Sequence, residues 1–146
     1  MKLSTKTRYG LRLMLQLAIG YGKGPLSLKD ISRKEEISEK YLSQIVIPLK
    51  ARGLVNPIRG SCGGYILSKE PVRITVKDIV EVFEGSFTPV ECTDKPSVCN
   101  RSNLCTARKV WSILREKISE TLDSLNLKDL VNMEEKNKED FSDYSI

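Results

Sequence analysis

Cys92, Cys99 and Cys105 stand in the stretch ECTDKPSVCNRSNLCTARKVW, with six and five residues between them. This is not the C-x-x-C pairing of most zinc ribbons. Thiolates spread so widely along a polar loop suit an object larger than one ion, because the loop must reach around it. Lys95, Arg101 and Arg108 nearby favour the thiolate form that ligation requires. Idle free cysteines usually sit in apolar elements, which this stretch is not. The three cysteines are therefore the candidate ligands of an iron–sulfur cluster, with 2Fe-2S and 4Fe-4S both open. The chain has no histidine. A fourth ligand would have to be Glu91, Asp94, Asn100 or Asn103 in the loop, Cys62, or an N-terminal residue of a partner chain. In a second reading the same thiols hold zinc or act as a redox switch. The missing histidine also removes the commonest general base. No nucleophile–base pair, phosphate-binding glycine loop or zinc-protease motif is visible, so the chain is not read as an enzyme.

The elements around these cysteines must position them. Residues 86–105 form a connection with almost no hydrophobic periodicity, a length uncommon in a small domain unless the segment has a function. A helix over about 106–125 follows, with Ala107, Trp111, Leu114, Ile118 and Leu125 recurring at steps of three and four and Leu122 beside them. So long a stripe exceeds what a small domain covers alone; it could pack back on the first helix, but a twin helix in a second chain is the favoured partner. Asn126 caps a short closing helix with Leu127, Leu130 and Val131, and from Met133 the charged tail reads as flexible.

Upstream, Ser4 or Thr5 caps a helix ending near Ile19, with Leu11, Met14, Leu15 and Ala18 on one face. Ser27 starts a short second helix, and a turn lies at Glu36 and Ile37. Ser38 caps a third helix with Tyr41, Leu42, Ile45 and Leu49 inward, and Gly53 ends it. Pro48 within that helix removes one backbone bond and predicts a bend. Strands over 54–58 and 65–68, joined by RGSCGG, form a hairpin, and residues 74–85 form a fourth helix. The predicted fold is mainly α with a small β-hairpin wing: a winged helix-turn-helix plus a long C-terminal dimerisation helix. Its expected divisions are a DNA-binding domain over 1–85, a cysteine-bearing loop over 86–105, a dimerisation helix with its closing helix over 106–132, and a flexible tail over 133–146.

Charge agrees with that pattern. The net charge is +5, but residues 1–69 carry 13 Lys/Arg against 4 Asp/Glu, whereas residues 70–146 carry 11 against 15. A basic front half suits a polyanion, here double-stranded DNA. On the third helix Ser38, Lys40, Tyr41, Ser43 and Gln44 lie where side chains reach base edges or phosphates. Gln44 is the best base-reader. Lys40 and Tyr41 suit phosphates, and Tyr41 alternatively belongs to the core. Arg59, at the base of the hairpin tip, suits a narrow minor groove. Cys62 at the hairpin tip is a small turn residue in one reading and a reactive thiol in another. No apolar run reaches the ~18 residues of a membrane span. Arg12 and Gln16 interrupt the only stretch that could pass for a leader, so a cytoplasmic protein is expected. A third class of reading is an iron–sulfur assembly scaffold whose basic face binds protein instead of DNA.

From Met1 to about Asn132 the chain resembles the IscR/NsrR-type iron–sulfur-sensing winged-helix repressors. The resemblance rests on KLSTKTRYGLRLML, ISEKYLSQI, RGSCGGYILSK, the three-cysteine loop and the closing NLKDLV. It implies a homodimer that crosses its long helices on a palindromic operator, with DNA affinity altered by the cluster. Two positions depart from the pattern. Arg108 stands where IscR-type members have histidine, and Arg8 stands where nitric-oxide sensors have a carboxylate. The resemblance therefore leaves the fourth ligand and the signal unassigned.

Overall fold

Three serines start the first three helices. The hydroxyl oxygens of Ser4, Ser27 and Ser38 accept the backbone N–H groups of Thr7, Asp30 and Tyr41 at 3.1–3.2 Å, satisfying donors that a helix start leaves without partners. The helices are α1 (Thr5–Ile19), α2 (Leu28–Glu35) and α3 (Glu39–Ala51). Between α2 and α3, Glu36 adopts a left-handed conformation with φ of 56°. Ser32 donates its hydroxyl to the Ile37 carbonyl at 2.5 Å, which closes the turn. α3 continues through Pro48 to Ala51. The computed structural model describes residues 2–144.

The hairpin follows at β1 (Val55–Ile58) and β2 (Gly64–Leu67), antiparallel, with Val55 opposite Leu67 and Ile58 opposite Gly64. On the other side of β2, Leu26 and Tyr65 exchange both backbone bonds at 3.0 and 2.9 Å. The wing is thus anchored to the α1–α2 connection. Gly64 permits this, since a Cβ there would lie 2.4 Å from the Leu26 carbonyl oxygen.

A reciprocal capping box between Thr75 and Asp78, both bonds 3.0 Å, opens α4 (Val76–Glu84). α5 (Thr106–Ser124) and α6 (Leu127–Tyr144) complete the chain. The core gathers around α1, whose Leu13, Met14 and Leu17 meet Leu42, Ile45, Ile79 and Leu127. The mainly α winged fold agrees with the sequence reading, including the Ser27 and Ser38 caps, and of the two residues open for the first cap the structure uses Ser4.

Two expectations about the C-terminal part need correction. Leu127 is fully buried in the same core as α1, and the Leu127 N–H donates to the Ile74 carbonyl while Val76 N–H donates to Leu125. The closing segment is therefore built into the same core as residues 1–85. Second, α6 does not end near Asn132 but runs to Tyr144, so residues 133–144 are helical. No Gly or Pro interrupts 127–144, and Glu134/Lys138 and Lys136/Asp140 sit at the favourable i,i+4 spacing. Charge-rich composition resembled disorder, but helix propensity sustains the element. Residues 145 and 146 of the expected flexible tail lie outside the described residues.

α1 and α4 approach closely because position 10 has no side chain. A Cβ on Gly10 would lie 2.4 Å from the Phe83 ring. One residue on, the Glu84 carboxylate accepts from Thr7 Oγ1 at 2.5 Å and from the Ser4 N–H at 2.7 Å. These bonds, the Thr7 hydroxyl first, hold its carboxyl below the usual carboxylate range. Gly10→Ala should destabilise the fold by about 1–3 kcal/mol through overpacking. Denaturant unfolding should register that loss and show partial recovery when Phe83→Leu is added.

Candidate nucleic-acid interface and cysteine loop

α3 divides cleanly into two faces. Leu42, Ile45, Val46 and Leu49 are buried, whereas Lys40, Ser43, Gln44 and Ile47 point to solvent. Lys40, Ser43 and Gln44 are thus presented together, as their spacing predicts. Ser38 is exposed, but its hydroxyl serves the helix cap, and the Ser43 hydroxyl donates to the Lys40 carbonyl at 2.6 Å. Tyr41 is half-buried and meets Tyr9 edge to face, with centroids 5.7 Å apart. Of the two roles open to Tyr41, this packing favours the structural one. Arg59 is exposed just beyond β1. Sequence reading passed over Ile47, which is 63% exposed on the outer face of α3. Its one available signal was helical spacing from Ser43 and Gln44.

A polar cluster sets the pose of this helix. Glu35, at the end of α2, accepts from Arg12 Nε at 2.8 Å and from Gln16 Nε2 at 2.6 Å. Arg12 also donates to the Glu35 carbonyl, and its guanidinium lies 5.3 Å from the Tyr9 ring centroid. The side chains run from α1 through the turn to Tyr41 in the first turn of α3. A cation at the C-terminal end of α2 also opposes that helix's negative pole. Arg12 and Gln16 read from sequence only as interruptions of an apolar run, and nothing local pairs them with Glu35.

The cysteine loop is ordered by arginines. Within 86–105 the chain makes two short 3-10 turns, Glu91–Thr93 and Pro96–Val98. Ser102 is buried and sets its hydroxyl against the Pro96 and Cys99 carbonyls at 2.5 and 2.7 Å. From α5, Arg108 donates to the Cys92 carbonyl at 3.0 Å and to that of Ser102 at 3.4 Å. Arg115 donates to the Thr93 carbonyl at 3.1 Å, to Asp94 Oδ1 at 3.2 Å and to Ser86 Oγ at 3.5 Å. All four cysteines are free thiols: Cys92 and Cys105 are half-buried, and Cys99 and Cys62 are exposed.

The expected ligand set is not assembled. Among the described residues, no three Cys, His, Asp or Glu side chains are grouped to hold a metal ion. This conformation therefore does not bring Cys92, Cys99 and Cys105 together as a ready-made metal site. Their loop instead closes around Ser102, with its carbonyls bonded by α5 guanidinium groups. Among the suggested fourth ligands, Asp94 is already paired with Arg115.

α5 buries none of its residues, and Trp111, Val110 and Ile113 are 39–59% exposed. Leu114, Ile118, Leu122 and Leu125 of the expected stripe are half-buried. No helix among the described residues is long and apolar enough to cross a membrane.

Residues 3–133 match the family model described as Rrf2, iron-dependent transcriptional regulator. The chain is 42% identical over 144 residues to the HTH-type transcriptional regulator CymR of Bacillus subtilis, covering 99% of both proteins. It superposes with a TM-score of 0.79 on the structure of CymR, the global cysteine regulator of B. subtilis, at 44% identity, covering 91% of this chain and 98% of that one. T. potens IscR superposes with a TM-score of 0.77 at 38% identity, covering 94% and 90%.

Glu35→Ala should leave the largely buried Gln16 amide and the Arg12 guanidinium without their acceptor, at a cost of about 1–3 kcal/mol. A double-mutant cycle with Arg12→Ala should return a coupling energy of about 0.5–3 kcal/mol. Strict additivity would show that the pair contributes nothing to the pose of α3.

Proposed function

The chain belongs to the Rrf2 family of transcriptional regulators, and on that premise we propose that it is a cytoplasmic homodimer whose operator affinity is set at the three-cysteine loop. The observation that carries the DNA reading is the split of α3, with its apolar side in the core and Lys40, Gln44 and Ile47 outward. Gln44 pairs with an adenine edge, Ile47 meets a thymine methyl, and Lys40 binds phosphate. Ser43 lies beside them, and Ser38 holds the end of the helix toward the backbone. Arg59 enters the minor groove from the wing. Dimerisation runs through α5, whose apolar stripe the chain leaves half-exposed. A second copy supplies the second reading head that a palindromic operator needs, ~34 Å or a multiple away.

Thiol chemistry is the first reading of the signal. Two guanidinium groups bind the loop to the dimerisation helix, so a covalent change at Cys92, Cys99 or Cys105 that reshapes the loop would be passed to α5. The likeness to a cysteine regulator points to sulfur status as the input. Iron–sulfur cluster binding is the second reading, favoured by the spacing of the thiols, the iron-dependent description of the family and the likeness to IscR. It requires the loop to leave the arginine-held conformation.

Operator titration tests the DNA reading. Arg59→Ala should weaken binding by about 1–3 kcal/mol, and unchanged affinity at physiological salt removes the wing from the interface. Ile118→Glu places a charge in the proposed seam and should give monomers in sedimentation, with operator binding lost. A variant that stays dimeric moves the seam elsewhere. Anaerobic iron and sulfide loading, followed by the same titration on Cys92→Ala, Cys99→Ala, Cys105→Ala and Cys62→Ala, separates the two signals. Colourless protein whose DNA affinity answers to oxidant supports the thiol reading, and a brown, iron-bearing protein supports the cluster. If the three loop variants respond like wild type, the loop is not the sensor.

A further inference from the structure

A cavity of about 350 Å³ lies behind the wing, far in sequence from the three-cysteine loop. Its apolar walls include Leu17 of α1 and Leu67 of β2, both nearly fully buried, with Leu26 and Ile66 beside them. Among the described residues, Tyr21 and Tyr65 are its only polar-tipped side chains, and no charged residue lines it. The α1–α2 connection forms the rim, where Gly22 and Gly24 take φ of 82° and 93° with open space around them. A volume at the lower end of the ~300–1,000 Å³ range, apolar walls and a few hydroxyl and backbone groups are the attributes of a small-molecule site.

We propose that this cavity binds a neutral, largely apolar small molecule and that its occupant adjusts the wing. The absence of charge selects the ligand class. An amino-acid zwitterion, a phosphate or a carboxylate would be desolvated here without a counter-ion, which is costly. A neutral ring system meets two tyrosines and four aliphatic side chains. The route to the wing is direct, because Tyr65 and Leu26 both line the cavity and exchange the two backbone bonds that anchor β2. A molecule seated between them bears on that bridge, and Arg59 follows Ile58 at the turn end of the same hairpin, where Ile58 pairs with the neighbour of Tyr65. This input is separate from the cysteine loop. Only its effect on operator affinity rests on the DNA reading above; ligand binding does not.

The test uses the full chain and prodan, an uncharged naphthalene dye whose emission moves to the blue in apolar surroundings. Expected are saturable binding of one dye per chain, no competition from L-cysteine, and binding at least about tenfold weaker in Ile66→Trp, which fills the half-exposed wall. Thermal unfolding of that variant should match wild type, and a second filling variant, Leu26→Phe, guards against misfolding. Dye that does not saturate, or that binds both variants like wild type, overturns the site; the second result places it on the exposed apolar face of α5. With dye bound, operator affinity should shift by about fivefold or more, and no shift overturns the coupling to the wing. Failure of dye-free protein to bind the operator at all would instead refute the DNA reading, leaving the cavity result to stand on its own.

Discussion

The bare backbone at Gly10 is the constraint on which the rest of the architecture depends. α1 serves as the central post of the core, and most other elements lean on it. Only where it lacks a side chain can the Phe83 ring of α4 press against its backbone. That contact brings Glu84 within reach of Ser4 and Thr7, so α4 ends at the N-terminus of α1. Gly85 then turns the chain outward, and the cysteine loop leaves from this point. The direction of α5 follows from the loop, and the position of the proposed dimer seam follows from α5. A methyl group at position 10 would act on all of these together, because close-packed interiors transmit displacement.

The reading head has a different logic. α2 and α3 join through a left-handed Glu36, which costs backbone energy at a residue other than glycine. The surrounding groups offset that cost. Ser32 closes the turn, and the Glu35 carboxylate gathers Arg12 and Gln16 from α1. α3, the proposed recognition helix, is thus held from behind by polar contacts of fixed direction, in addition to its apolar face. Directional contacts specify an angle, whereas apolar burial mainly specifies proximity.

Much of this was legible in the residues because local rules governed it. Ser4, Ser27 and Ser38 each mark a helix start, and each makes the bond its type predicts. The inward and outward faces of α3 follow from periodicity, and the hairpin follows from its glycine-rich connection. Non-local matters were not legible. Cysteine spacing measures how far a loop can reach but says nothing of whether its thiols converge, and here the carbonyls around them are taken by Arg108 and Arg115. The Arg12–Glu35 pair spans 23 positions, beyond any periodic signal. α6 was misjudged past Asn132 because its exposed, charged surface carries no apolar stripe to count, while its helix-forming residues suffice to continue it.

The double attachment of α5 gives the molecule the mechanics of a lever. One end is held where the backbone on either side of Leu125 and Leu127 is bonded to Ile74 and Val76. Toward the other end the loop is held through two guanidinium groups, Arg108 in the first turn and Arg115 at mid-helix, where α5 also packs on α4. Nineteen residues make a rod about 28 Å long. With its C-terminal end fixed as a pivot, a shift of about 1 Å at the loop end swings the rod through only ~2°. Two such rods crossed in a dimer would rotate against each other by the sum of their swings, carrying the attached reading heads with them. In such a dimer, small movements at the loop would become changes of angle between two distant bodies, with no bending of the helix that connects them.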